Sequence, residues 1–380
     1  MKRRRCQQRG GDGVREKTDE YGRIGQKAER IVSVFFERTF VAYDNERAGN
    51  PPYSCVDQEV LMGISRRTFL RAGAVVAGTL AAGAALPGRG RAAEAKARVY
   101  ATKSLDSESL RKMYALVCGG ITGRVAIKLH TGEPNGPNIL PREWVRDLQA
   151  SIPKSAIVEC NVLYPSPRQT TEGHREVIRQ NGWTFCPVDI MDEEGDVSLP
   201  VKNGRWIKEL AVGSHLLNYD SMLVLTHFKG HTLGGFGGSL KNISIGCASG
   251  KVGKQQLHRV TPEGGWPGGA PFMERMVEGG RAVVDHFNGH MAYVNVLRNM
   301  SVSCDCEGVA AEPVRLPDLG ILASTDIQAV DRASVDMIYA LPENVRAPMV
   351  ERIESREGLR QLSYMKETGL GSSEYELIWV

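Results

Sequence analysis

From about residue 98 onward, apolar positions follow two rhythms. Short β-branched runs at 98–102, 124–129, 155–160, 184–189, 221–226, 291–297 and 319–323 predict strands. Between them, stretches with apolar residues three and four apart predict helices over 108–117, 142–150, 171–180, 271–286, 327–339 and 357–368. Strands alternating with helices predict βαβ units, and so an α/β fold. The expectation is one domain over 98–380, with a largely parallel or mixed sheet flanked by helices. Residues 262–270 are rich in Gly and Pro and read as an irregular surface loop.

The first hundred residues follow a different pattern. Residues 1–61 are highly charged and have no apolar period. They read as a gene-model extension ahead of a true start at Met62, or as a disordered leader. Next comes Ser65-Arg66-Arg67-Thr68-Phe69-Leu70-Arg71, then an Ala/Gly-rich apolar run to Pro87, then small residues around Ala93. A charged segment, a short apolar segment and a small-residue cleavage zone make a signal peptide over 62–97. The paired arginines before Phe-Leu specify the twin-arginine route. The expected partner is therefore the twin-arginine export machinery, and the expected location is periplasmic or otherwise outside the cytoplasm.

Composition narrows the function classes modestly. The 380 residues carry a net charge of +4, and many of the Lys and Arg residues lie in the leader, so nucleic acid is not an expected partner. Eight cysteines are too few for a disulfide scaffold. Oligomeric state is not written in the pattern.

The densest chemistry begins where the apolar run 222–225 ends: Thr226-His227-Phe228-Lys229-Gly230-His231-Thr232-Leu233-Gly234-Gly235-Phe236-Gly237-Gly238-Ser239-Leu240-Lys241-Asn242. Open α/β sheets hold ligands at the carboxyl ends of their strands. Gly235, Gly237 and Gly238 can expose backbone N–H groups, and a helix start at Leu240-Lys241-Asn242 adds a positive dipole end. This segment is expected to bind a small anionic molecule, with Lys241 and Asn242 among its contacts. A ligand-free glycine loop is the competing reading. His227, His231 and Lys229 are candidates for proton transfer or anion contact.

A second group, Lys128, His130 and Glu133, closes another strand and can face the same crevice. Lys128 and Glu133 are candidate ligand contacts, although a solvated ion pair reads equally well. A third group is Ser303-Cys304-Asp305-Cys306. Alternate residues of an extended chain point the same way, so Cys304 and Cys306 can share one metal ion or cluster, with Cys247 as a third ligand and His227 or His231 as a fourth. A disulfide, or two unrelated thiols, are the alternatives. Asp326 reads as a helix cap. Cys118, Cys160 and Cys186 read as core thiols. No Gly-x-Ser-x-Gly elbow is present, which disfavours a serine hydrolase.

These residues, in this order, resemble the domain-of-unknown-function family 362, often labelled iron–sulfur centre proteins. The resemblance runs from about residue 125 to 380. It rests on Lys128 to Glu133, on His227 to Ser249, on Cys304-Asp305-Cys306, on Pro317 to Ser324 and on Gly369 to Glu376. It implies a metal- or iron–sulfur-binding protein, exported by virtue of the twin-arginine segment, with redox or lyase-type activity on a small anionic substrate as the expected chemistry. The alternative is a metal-free anion carrier. Some relatives carry a ferredoxin-like insert with Cys-x-x-Cys spacings after the segment matching 246–258. Here 259–273 contains no cysteine, so any cluster would have to use Cys247, Cys304 and Cys306.

Overall fold

The computed structural model describes residues 96–380; the expected leader and signal segment lie outside the described residues except for Lys96 and Ala97, and Ala97 already opens the first strand. In chain order the strands are β1 (Ala97–Thr102), β2 (Val125–Lys128), β3 (Ser155–Glu159), β4 (Val188–Ile190), β5 (Asp196–Pro200), β6 (Glu209–Gly213), β7 (Ser221–His227), β8 (Lys229–His231), β9 (Gly235–Gly237), β10 (Met291–Leu297), β11 (Gly320–Ser324) and β12 (Tyr375–Trp379). The α-helices are α1 (Ser107–Ala115), α2 (Arg142–Ala150), α3 (Thr171–Gln180), α4 (Ser239–Cys247), α5 (Gly253–His258), α6 (Ala270–Phe287), α7 (Ile327–Tyr339), α8 (Glu343–Ser355) and α9 (Arg360–Thr368).

Eight strands form one mixed sheet in the order β12-β1-β11-β10-β7-β2-β3-β4. The run β10-β7-β2-β3-β4 is parallel, and β11 is antiparallel to both of its neighbours. The central strands are covered on both faces, which explains their unbroken apolar runs. Their side chains still alternate between faces. Ala126, Met222 and Val224 join the core beneath α4, α6 and α7, while Ile127, Leu223 and Leu225 join the core beneath α1 and α2. Caps set several helix starts. Asp106 accepts from Ser109 N at 2.7 Å, and Asp326 accepts from Ala329 N at 2.9 Å, so Asp326 is the expected cap.

The α/β reading and most of its elements hold. The differences are local. The strand expected at 184–189 is the three-residue β4, which starts four residues later, just after Pro187, a residue that cannot donate to the ladder. The hairpin β5–β6, the edge strand β12 and α8 with its internal Pro348 had no clear sequence signal. The helix expected from 357 begins at Arg360. The glycine segment folds as the small β8–β9 hairpin followed by α4, so His227 and His231 do not share a helix face.

This topology defines the site. Strands β2, β3 and β7 lie side by side and parallel, so Lys128, Glu159 and His227 all close their strands at one edge of the sheet. The chain leaves β2 toward β3 and β4 and later returns to β7 on the other side of β2. Such a reversal opens a crevice at the carboxyl ends.

Candidate functional site

At that edge lies a cavity of ≈ 190 Å³. Lys128, Arg168, Lys241 and Lys254 line it, as do His130, His231, His258 and Cys306, and Glu159 is the one carboxylate on its wall. Apolar cover comes from Val162, Leu163, Leu233, Ile245 and Trp266.

Glu159 organises one wall. It is buried at the end of β3 and accepts from Lys128 Nζ at 2.9 Å, Arg168 at 3.0 Å and Thr131 N at 2.8 Å. Burial pushes its carboxyl up, but the Lys128 and Arg168 charges outweigh that and hold it well below the usual range. Gly246 makes room for this lysine, since a Cβ there would stand 2.3 Å from Lys128 Cε. Arg168 also binds Glu133 at 3.0 Å, and Glu133 in turn accepts from Tyr164 and Ser166, each at 2.6 Å. Glu133 therefore braces Arg168 from behind instead of lining the cavity. His130 Nδ1 lies 3.3 Å from Glu159, while its buried Nε2 has no hydrogen-bond partner.

The opposite wall is built on thiols. Cys304 begins the short 3-10 helix Asp305–Ala310, and its sulfur accepts from Cys306 N and from Lys241 Nζ, both at 3.4 Å. His231 Nδ1 accepts from Gly234 N at 2.8 Å and from Leu233 N at 3.3 Å. Its ring proton therefore sits on Nε2, on the side of Cys304. Burial pushes the Cys304 thiol up, but the Cys306 hydrogen bond, the Lys241 charge and His231 together bring it well below its ordinary value. Cys306 moves the other way, because its hydrogen bond to Cys304 and its burial both disfavour its charge, so within the pair Cys304 is the sulfur that ionises first. His231, Cys304 and Cys306 place ligand atoms within 4.8 Å of one another, a group that could hold a metal ion.

The remaining expected residues have other partners. His227 Nδ1 meets Asp305 at 2.8 Å, and its Nε2 meets Arg298 O at 2.7 Å. Lys229 Nζ binds the same Asp305 at 2.9 Å and His227 O at 2.8 Å. This trio is buried with its polar atoms engaged, so neither His227 nor Lys229 reaches the cavity. Asn242 lines the cavity, but its amide is committed to Lys128 O, Leu225 O and Thr226 Oγ1.

Two corrections follow. The start of α4 is not an open anion site, because Asp331 already accepts from Ser239 N at 2.7 Å and Leu240 N at 2.9 Å. Gly238 is needed for that contact, since a Cβ would stand 2.4 Å from Asp331 Oδ1, and Gly235 packs against Ile353 and Gly358. Gly237 is looser, 3.7 Å from Lys241 Cδ. Cys247 lies outside the cysteine–histidine group; it is buried near Cys160, whose sulfur contacts its carbonyl at 3.4 Å, and burial pushes its thiol up to about 12.

Sequence reading missed Glu159, Arg168, Lys254 and His258. A charge closing an apolar strand was the available signal for Glu159, since Lys128 closes the adjacent one. Arg168, Lys254 and His258 come from loops and a six-residue helix with no pattern of their own.

An α/β domain with a cationic crevice at its strand ends, Cys306 on its wall and Cys304 beside it, defines the class of this protein. The chain belongs to the family described as "Domain of unknown function (DUF362)", whose model matches residues 125–336. No curated protein matches it. Among solved structures, the lactate racemase apoprotein from Thermoanaerobacterium thermosaccharolyticum is similar over 64% of this chain and 57% of its own, at 10% identity and a TM-score of 0.39. A protein from Thermotoga maritima is similar over 64% and 58%, at 12% identity and a TM-score of 0.37. The chain thus covers less than two thirds of either neighbour.

Proposed function

We propose that this protein is an exported enzyme that takes a small anionic molecule, a carboxylate or phosphate, into the cavity at the strand ends. One observation carries the reading: four basic side chains line a crevice of ≈ 190 Å³ that, among the described residues, has a single carboxylate on its wall. A space of that size admits a molecule of few heavy atoms, and fixed charges in a low-dielectric site attract an anion far more strongly than they would in water. The twin-arginine segment supports export, and lysine replacement of Arg66 and Arg67 should hold the protein in the cytoplasm of a bacterial host.

The test of the anion site is calorimetric titration of the purified chain with inorganic phosphate and with oxamate. Saturable one-site binding that is lost in Lys241→Met supports the reading. No binding of either anion overturns it.

A second reading is a metal site at His231, Cys304 and Cys306, favoured by their mutual proximity. This donor set suits a single ion better than an iron–sulfur cluster, which most often takes four cysteines. Two features oppose even the single ion: the Lys241 ammonium at 3.4 Å from Cys304, and the proton on His231 Nε2. Metal and sulfide analysis of anaerobically purified protein separates the readings. Metal lost in Cys304→Ser would favour the second.

A further inference from the structure

Three buried lysines and the half-buried Lys241 surround this end of the sheet, and three of the four have a carboxylate or thiol partner. Lys128 pairs with Glu159 at 2.9 Å, Lys229 with Asp305 at 2.9 Å, and Lys241 with the Cys304 sulfur at 3.4 Å. Lys254 is different. It is 4% exposed, it lines the cavity, and its Nζ donates to Ala248 O at 2.6 Å. Among the described residues it makes no ion pair. It also stands in the first turn of α5, where the helix dipole disfavours a cation.

We infer that Lys254 is a nucleophilic amine that forms an imine with the carbonyl of a small oxo acid bound in the cavity. The inference rests on the anion-binding reading above. Arg168, Lys128 and Lys241 would receive the carboxylate, leaving the carbonyl carbon to the one lysine not committed to an anion. In the step itself, the Nζ lone pair adds to the carbonyl carbon. The carbonyl oxygen then leaves as water with both amine hydrogens, and a C=N bond remains. No oxidant or reductant is consumed.

Nucleophilic attack needs the neutral amine, and the surroundings favour it. Burial pushes the Lys254 ammonium down; Cys160, Asp192 and Glu159 pull it back up, and Lys128 adds to the push. The net direction is down, which is how desolvated lysines become nucleophiles near neutral pH. The single hydrogen bond to Ala248 O needs only one N–H, so the lone pair is not consumed by it.

The experiment is reductive trapping. The full chain is incubated with pyruvate and sodium cyanoborohydride, digested, and mapped by mass spectrometry. The expected result is one carboxyethyl adduct per chain, on Lys254, suppressed by oxamate, which carries the carboxylate but an amide in place of the ketone. Lys254→Arg should lose the adduct. Labelling spread over other lysines as in the urea-denatured chain, with Lys254 unmodified, overturns the inference. Because the adduct is located on the unmutated chain, a variant that folds poorly does not blunt the test. Oxamate calorimetry without reductant separates the two claims: binding with no adduct removes the imine and leaves the anion site, whereas neither removes both.

Discussion

Two clusters of the same residue types stand a few residues apart in this fold and differ in one respect. Around Asp305, His227 and Lys229 are sealed, each with near-ideal partners. Around the cavity, among the described residues, Lys254 makes no ion pair, and His130 Nε2 and His258 Nδ1 are buried with no hydrogen-bond partner. A buried polar atom left unpaired is costly, so a fold keeps such atoms where something else will meet them. The sealed cluster therefore reads as architecture that fixes the Cys304–Cys306 segment, and the unsatisfied one as a place for a ligand.

That contrast can be broken most severely at Asp305. Asp305→Ala strands His227 and Lys229 in the interior and should cost ~3–5 kcal/mol of stability, measured by denaturant unfolding. A loss below ~1 kcal/mol would show that the cluster is not structural.

The glycine segment offers a smaller effect of the same kind. Gly238→Ala drives a methyl into Asp331 and should cost ~1–3 kcal/mol. Gly237→Ala meets only an ordinary contact with Lys241 and should stay within ~0.5 kcal/mol. Equal losses would contradict the division between the tightly packed Gly238 and the looser Gly237.

At the cavity the expectation reverses. Lys254→Met breaks no ion pair among the described residues and should leave the melting temperature nearly unchanged, within ~1 kcal/mol by thermal unfolding. A loss like that of Asp305→Ala would put Lys254 in the structural class.

The smallest effect concerns acid stability. Burial, aided by the His231 charge, pushes His258 down to about 3 from its ordinary 6.5. The unfolded chain then binds more protons between those values, so the stability this residue contributes is present above 6.5 and lost as pH falls toward 3. His258→Phe, which keeps an aromatic ring against Phe272 and Trp266, should flatten that part of the pH–stability curve.

Much of the fold was legible because burial writes a period into the chain. The fully covered strands β7 and β10 and the amphipathic α3 and α7 follow their apolar patterns. Edge strand β12 and hairpin β5–β6 have partly exposed residues and weak patterns, and their pairing comes from the rest of the domain. The site was legible by residue type more than by partner. Lys128, His130, His231, Lys241, Cys304 and Cys306 do converge on one region, whereas His227, Lys229, Gly238 and Cys247 carry equally suggestive letters and serve other neighbours.

The sequence alone determined the α/β alternation, the Asp326 cap and the family, because each depends on neighbours a few residues apart or on motifs in order. Only the tertiary structure decided which charged groups are satisfied. Asp331 reaches the start of α4 from 92 residues away, Glu159 reaches Lys128 from 31, and Asp305 reaches His227 from 78. Pairing at such separations is set by how the sheet and helices pack, and it is that pairing which left Lys254, among the described residues, with a carbonyl but no ion pair at the cavity wall.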